Sequence, residues 1–175
     1  MTTPMVSVVG WHNVGKTTFI EELVAELKRR GYCVATVKHS REGFEFDHPG
    51  TDTWRYARAG SDVVAISGRS QMAYLERTME ELTLSEVIGR LPGDLDIILL
   101  EGFKLAPVPK LEVVRAGAEE GRIARAGELL ALVGDEDLSV GEGMLRFGIH
   151  DAAAVVDLLE KRGLVRQSRA RQRER

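Results

Sequence analysis

Apolar and polar positions follow two different periods along the chain, and each change of period marks the border of an element. Met5-Val6-Ser7-Val8-Val9 is a short, largely β-branched apolar run that stops at Gly10, the pattern of a strand buried in a sheet. From Thr17 to Arg30 the period lengthens, so that Phe19, Ile20, Leu23, Val24 and Leu27 share one face of a helix. Lys28, Arg29 and Arg30 fill its last turn, where cations suit the helix dipole, and Gly31 ends it. Cys33 to Val37 reads as a second strand, with Cys33 as a buried small apolar residue, and it leads into Lys38 and His39. Strand, glycine loop, helix and strand make a βαβ unit, which implies a parallel sheet with helices on its faces.

Further along, Ser40 to Gly50 is polar and acidic and reads as a surface loop, and Asp52 to Arg58 as a short helix closed by Ala59-Gly60. Asp62 to Ser67 and Met72 to Leu75 are strand-like runs around Gly68-Arg69-Ser70-Gln71, a hairpin pattern. Leu84 to Leu91 predicts a helix stopped by Pro92-Gly93, and Ile97-Ile98-Leu99-Leu100 a central strand. Leu111 to Val114 and Leu129 to Val133 are further strands. Asp151 is placed to cap a last helix that carries Val155, Val156, Leu158 and Leu159. The expectation is one α/β domain over residues 1–165, of the P-loop NTPase type, with a mostly parallel, mixed sheet flanked by helices, followed by a basic tail at 166–175.

Composition narrows the class without changing that layout. The chain has 175 residues, 43% hydrophobic and 29% charged, ordinary proportions for a folded globular domain. No apolar run approaches the ~18 residues of a membrane span, and Met1-Thr2-Thr3-Pro4 lacks a basic patch before an apolar stretch, so neither membrane nor signal peptide is expected. A single cysteine excludes an internal disulfide and points to a reducing, cytoplasmic setting. The net charge of −3 divides into +4 on Arg166–Arg175 and −7 on the rest, and the tail reads as a solvated terminus rather than a nucleic-acid arm.

The chemistry lies between the first strand and the first helix. Gly10-Trp11-His12-Asn13-Val14-Gly15-Lys16-Thr17, with Thr18 following, fits G-x-x-x-x-G-K-[ST] in the strand–loop–helix context that gives this pattern its meaning. Phosphate oxygens must come close to the main chain, so glycines clear the approach; successive N–H groups and the helix N-terminus then hold the anion. Lys16 adds a mobile charge for the β- and γ-phosphates, and the Thr17 hydroxyl can enter the octahedral shell of Mg2+. Asp96 to Glu101 and Gly102 resemble a Walker B arrangement, an apolar strand whose last residue is a carboxylate able to hold Mg2+ or to orient a water. Beyond the second strand, Lys38 could meet a phosphate, and Asp47 or Asp52, beside Thr53, could complete the metal shell. His48 and His150 have no Cys or His partners at zinc spacing.

With Gly10–Thr18, Lys38-His39, Asp47-His48-Pro49-Gly50-Thr51-Asp52-Thr53 and Glu101-Gly102-Phe103-Lys104, the sequence resembles the molybdopterin-guanine dinucleotide biosynthesis protein B (MobB) family. These segments match its phosphate loop, its Lys-His pair, its D-x-P-G-x-D-[ST] loop and its E-G-[FY]-K strand end, in order from about Met5 to Val114. The resemblance implies a GTP- and Mg2+-binding homodimer, at most a slow GTPase, that assists the molybdenum cofactor guanylyltransferase. It places phosphates on Gly10–Thr18, metal on Thr17 and Glu101, and Asp47 and Asp52 in a nucleotide-responsive loop. The second loop position is Trp11 where related branches carry a lysine, and no [NT]-K-x-D guanine motif occurs; Asp135, after Val133-Gly134, is the candidate that remains for the base. A small-molecule kinase or ligase using ATP is the alternative, with Arg55, Arg58, Arg69 and Arg77 as its cations.

Overall fold

The computed structural model describes residues 2–40, 42–115, 121–125, 127–134 and 143–166. They fall into two compact units, Met1–His39 with Leu91–Arg175, and Ser40–Arg90.

The first unit is a six-stranded sheet. Its strands are β1 (Met5–Val9), β2 (Val34–Lys38), β5 (Ile97–Glu101), β6 (Lys110–Val114), β7 (Leu129–Gly134) and β8 (Arg146–Phe147), in the order β2-β5-β1-β6-β7-β8. Every pairing within it is parallel. Alternation along the strands sends Val6, Val8, Ile97, Leu99, Leu111, Val113 and Val133 into one core. There they meet Phe19, Leu23 and Leu27 of α1 (Lys16–Arg29) and Val155, Val156 and Leu159 of α4 (Ala152–Lys161). Arg30, just past α1, ties the two helices together: its guanidinium lies 2.7 Å from Glu26, 2.6 Å from Asp157 and 3.2 Å from Glu160.

The intervening residues Ser7, Ile98, Leu100, Lys110, Glu112 and Leu132 are buried as well. Two of these are charged, and burial is tolerable only because both are fully bonded. The Lys110 ammonium donates to the Ala106 carbonyl at 2.6 Å and pairs with Glu128 at 2.7 Å. The Glu112 carboxylate accepts from the amides of Ile123 at 2.7 Å and Ala124 at 3.3 Å. Irregular chain before β6 and before β7 is thereby fastened to the sheet.

The second unit holds α2 (Asp52–Arg58), the hairpin β3 (Val63–Ser67) and β4 (Met72–Glu76), and α3 (Leu84–Gly89). Thr51 caps α2, accepting from the Trp54 amide, while Thr83 and Glu86 form a reciprocal capping box on α3. The hairpin is antiparallel, and Gly68 closes its turn by donating to the Gln71 carbonyl at 2.9 Å.

Two expectations need correction, and one element is new. Cys33 is exposed, because β2 is an edge strand that starts one residue later. Its amide donates to the Asp96 carboxylate at 2.8 Å, while Arg166 donates its own amide to the Asp96 carbonyl at 3.0 Å. Asp151 stands at the N-cap of α4 without capping it; its carboxylate accepts from the Gly148 amide at 2.7 Å. Strand β8 went unforeseen, since two residues carry no period to read. Residues 167–175, most of the basic tail, lie outside the described residues.

Hydrogen bonds from Arg29 and then from Arg30 lower the Glu26 pKa from 4.5 to about 2. A group held below its unfolded pKa stabilises fully above that value and loses its contribution as pH falls through the folded one. The stability gap between the wild type and Glu26→Gln in urea titrations is therefore expected to be open at about pH 7 and to close between pH 4.5 and 2. An unchanged gap across that window would remove Glu26 from the junction.

Candidate functional site

Parallel strands bring their carboxyl ends to one edge, the edge at which open α/β sheets hold ligands. Register decides which residues meet there. Val8 of β1 pairs with Glu101 of β5, and Glu101 pairs in turn with Lys38 of β2. The loop Gly10–Gly15 leaves β1 beside that carboxylate and runs straight into α1.

The loop bends as a side chain at its first position would forbid. At Gly10 (φ 153°) an added Cβ would stand 2.5 Å from the Val113 carbonyl oxygen of β6. Asn13 follows at φ 59°, and Gly15 forms the N-cap of α1 at φ 98°. No side chain caps this helix, so its leading amides point out of the loop as donors suited to an anion. Thr17 and Thr18, in the first turn, are exposed.

Lys16 lies back along the loop, its ammonium donating to the Trp11 carbonyl at 2.5 Å. Partial burial holds its pKa below the usual lysine value; Glu101 opposes that shift, and Lys104 and Lys38 add to it. Glu101 is 19% exposed, with an oxygen 3.5 Å from the Lys38 ammonium. Immediately afterwards Gly102 adopts φ 102°, where a Cβ would come within 3.1 Å of the His39 carbonyl oxygen. The glycine thus answers a close approach by the end of β2.

Gly10, Trp11, His12, Asn13, Val14, Gly15, Lys16, Thr17, Thr18, Lys38 and Glu101 all belong to the first unit and cluster at this edge. Asp52 belongs to the second unit, exposed in the first turn of α2 and 3.8 Å from Arg55. Asp47, also there, accepts from the Thr53 hydroxyl at 2.5 Å and the His48 amide at 2.8 Å. Those bonds, that from Thr53 foremost, lower its pKa. The same unit contains a cavity of about 290 Å3 lined in part by Phe44, Phe46, Trp54, Ile66 and Leu75, a site that periodicity could not reveal. Asp135 lies outside the described residues. Among the described residues no three His, Cys, Asp or Glu side chains gather as a metal-ligand set, and no helix is long and apolar enough to cross a membrane.

Sequence reasoning missed Lys104 as a site residue. Its ammonium sits 4.7 Å from the centre of the Trp11 ring, and the indole N–H donates to the Gly121 carbonyl at 2.9 Å. The E-G-[FY]-K strand end was the available signal.

Sheet order, loop and helix together define an α/β protein of the P-loop type. Residues 5–135 match the family described as molybdopterin guanine dinucleotide synthesis protein B, MobB, and the chain belongs to that family. The molybdopterin-guanine dinucleotide biosynthesis adapter protein of Haemophilus influenzae is 34% identical over 62% of this chain and 61% of its own length, so the chain matches under two thirds of that relative. The Escherichia coli adapter protein is 29% identical over 89% of this chain and 91% of its own. The crystal structure of Bacillus subtilis MobB superposes with a TM-score of 0.73 at 32% identity, covering 90% of this chain and 97% of that one.

Gly102→Ala is expected to cost about 1–2 kcal/mol of stability, since alanine at a left-handed φ is strained and its methyl would press on His39. Urea denaturation measures this, and a variant as stable as the wild type would contradict the close approach.

Proposed function

We propose that the chain is a cytoplasmic accessory protein that binds GTP with Mg2+ in molybdopterin guanine dinucleotide formation, acting as a homodimer beside the guanylyltransferase. One observation carries the nucleotide part: an uncapped helix N-terminus, entered through a glycine loop, stands at a strand end in register with a carboxylate. Amides of Gly10–Thr18 fit the phosphates, and Lys16, bonded to a main-chain carbonyl, has a weak partner to exchange for an anion. Thr17 and Glu101 fit Mg2+, which binds protein through few ligands and keeps waters and phosphate oxygens for the rest. Mg2+ held there would offset the negative charge of the phosphates. Glu101 at the strand end is suited to orient a water.

The guanine preference is supported by the relatives' printed names, which specify a guanine dinucleotide. Self-association is supported by the hairpin. Its register puts Val63, Met72 and Tyr74 on one face, and they are 53%, 69% and 48% exposed. An apolar face of that kind on a two-stranded sheet fits a second copy better than water.

Calorimetry with GTP and ATP, with and without Mg2+, tests the nucleotide part. GTP is expected to bind in a Mg2+-dependent manner and more tightly than ATP, and Lys16→Ala to lose at least about tenfold in affinity while remaining folded. Tighter ATP binding would overturn the guanine assignment; wild-type GTP affinity in Lys16→Ala would overturn the loop assignment. For self-association, sedimentation velocity is expected to give a dimer for the wild type and a monomer for Met72→Glu. A monomeric wild type would refute the homodimer, and a dimeric variant would free this face from the contact.

A further inference from the structure

The segment after β5 reaches both of its neighbours. Strand β5 lies between β2 and β1, and Gly102 breaks it at φ 102° directly after Glu101. Phe103 goes one way, its ring centre 5.1 Å from that of His39 at the end of β2. Lys104 goes the other, onto the face of Trp11 within the phosphate loop. Trp11 is thus held at three points: its carbonyl accepts from Lys16, its indole N–H bonds to Gly121, and its ring carries Lys104. Two ammonium groups rest on one residue of the loop.

We infer, resting on the reading of this loop as a triphosphate site, that Lys104 is a second phosphate-binding ammonium, docked on the Trp11 ring and directed to the outermost phosphate of a nucleoside triphosphate. It follows Glu101 by three residues and meets the loop at Trp11, so it stands between the loop and the strand end that carries the carboxylate. A cation on an aromatic face is held more weakly than one bonded to an ionised oxygen, so the phosphate competes for it successfully. Lysine's flexible stem lets the charge move without moving the backbone. Charge counting agrees. The charges of Glu101, Lys104 and Lys38 all act on Lys16, and Glu101 stands 3.5 Å from Lys38. The surplus of roughly two positive charges matches the roughly two negative charges of a magnesium triphosphate. A diphosphate does not extend to the outer position, which makes Lys104 a residue that separates the two nucleotides.

The experiment is calorimetry of GTP·Mg2+ and GDP·Mg2+ with wild type, Lys104→Met, Lys104→Arg and a remote charge control, Lys161→Met, at the end of α4. Thermal unfolding checks each fold, and Lys104→Gln replaces the methionine variant should that one unfold. Lys104→Met is expected to lose about tenfold in GTP affinity and far less for GDP, Lys104→Arg to keep most of the wild-type value, and Lys161→Met all of it. In a Trp54→Phe background, GTP is expected to shift the Trp11 emission, and to do so much less once Lys104 is methionine. Equal GTP affinities for wild type and Lys104→Met, or an equal loss in Lys161→Met, would overturn the inference and leave the nucleotide site standing. A wild type that binds no triphosphate would remove the site itself, and Lys104's role with it.

Discussion

A parallel sheet delivers the last residue of every strand to one edge, and which last residues become neighbours is a matter of register alone. Here the pairing of Val8 with Glu101 is what places a carboxylate next to the glycine loop. A slip by one residue would turn Glu101 toward the opposite face and bring Leu100 to its place, because side chains alternate along a strand. Ile97 to Leu100 are buried on both faces, which places this strand in the interior of the sheet. The chemistry of the edge is thus set by a hydrophobic strand that touches none of it.

Electrostatics at that edge are deliberately unbalanced. Elsewhere in the first unit charges are matched closely: Lys110 with Glu128 and main-chain carbonyls, Glu112 with two amides, Arg30 with three carboxylates. Around the loop Lys16 feels two further lysines, Lys38 and Lys104, and one glutamate, Glu101. Uncompensated positive charge of this kind carries a cost in self-repulsion, which the buried pairing of Lys110 with Glu128 does not. Family membership and the P-loop fold stand independently of that argument.

Much of this was legible in the sequence because the relevant signals were local. The glycine loop, the helix face of Phe19, Leu23 and Leu27, and the run before Glu101 each declare themselves within a dozen residues, and the structure keeps all three. What escaped depended on residues distant along the chain. The exposure of Cys33 follows from β2 being an edge strand, and strand order is no property of Cys33's neighbours. Asp151 had the right identity for a cap, yet the Gly148 amide claimed its carboxylate. Lys104 meeting Trp11 joins positions brought together only by the break at Gly102.

Asp96 sits at the far rim of the sheet from the loop, where its side chain and main chain gather Cys33 and Arg166 at the start of β5. One buried residue there clasps the beginning of an edge strand, the entrance to a central strand and the last described stretch of the chain. The sheet therefore has a sewn hem and an open mouth. Wear and tear through evolution should show up differently at the two: changes at the hem surface as loss of folded material, changes at the mouth as protein that keeps its fold.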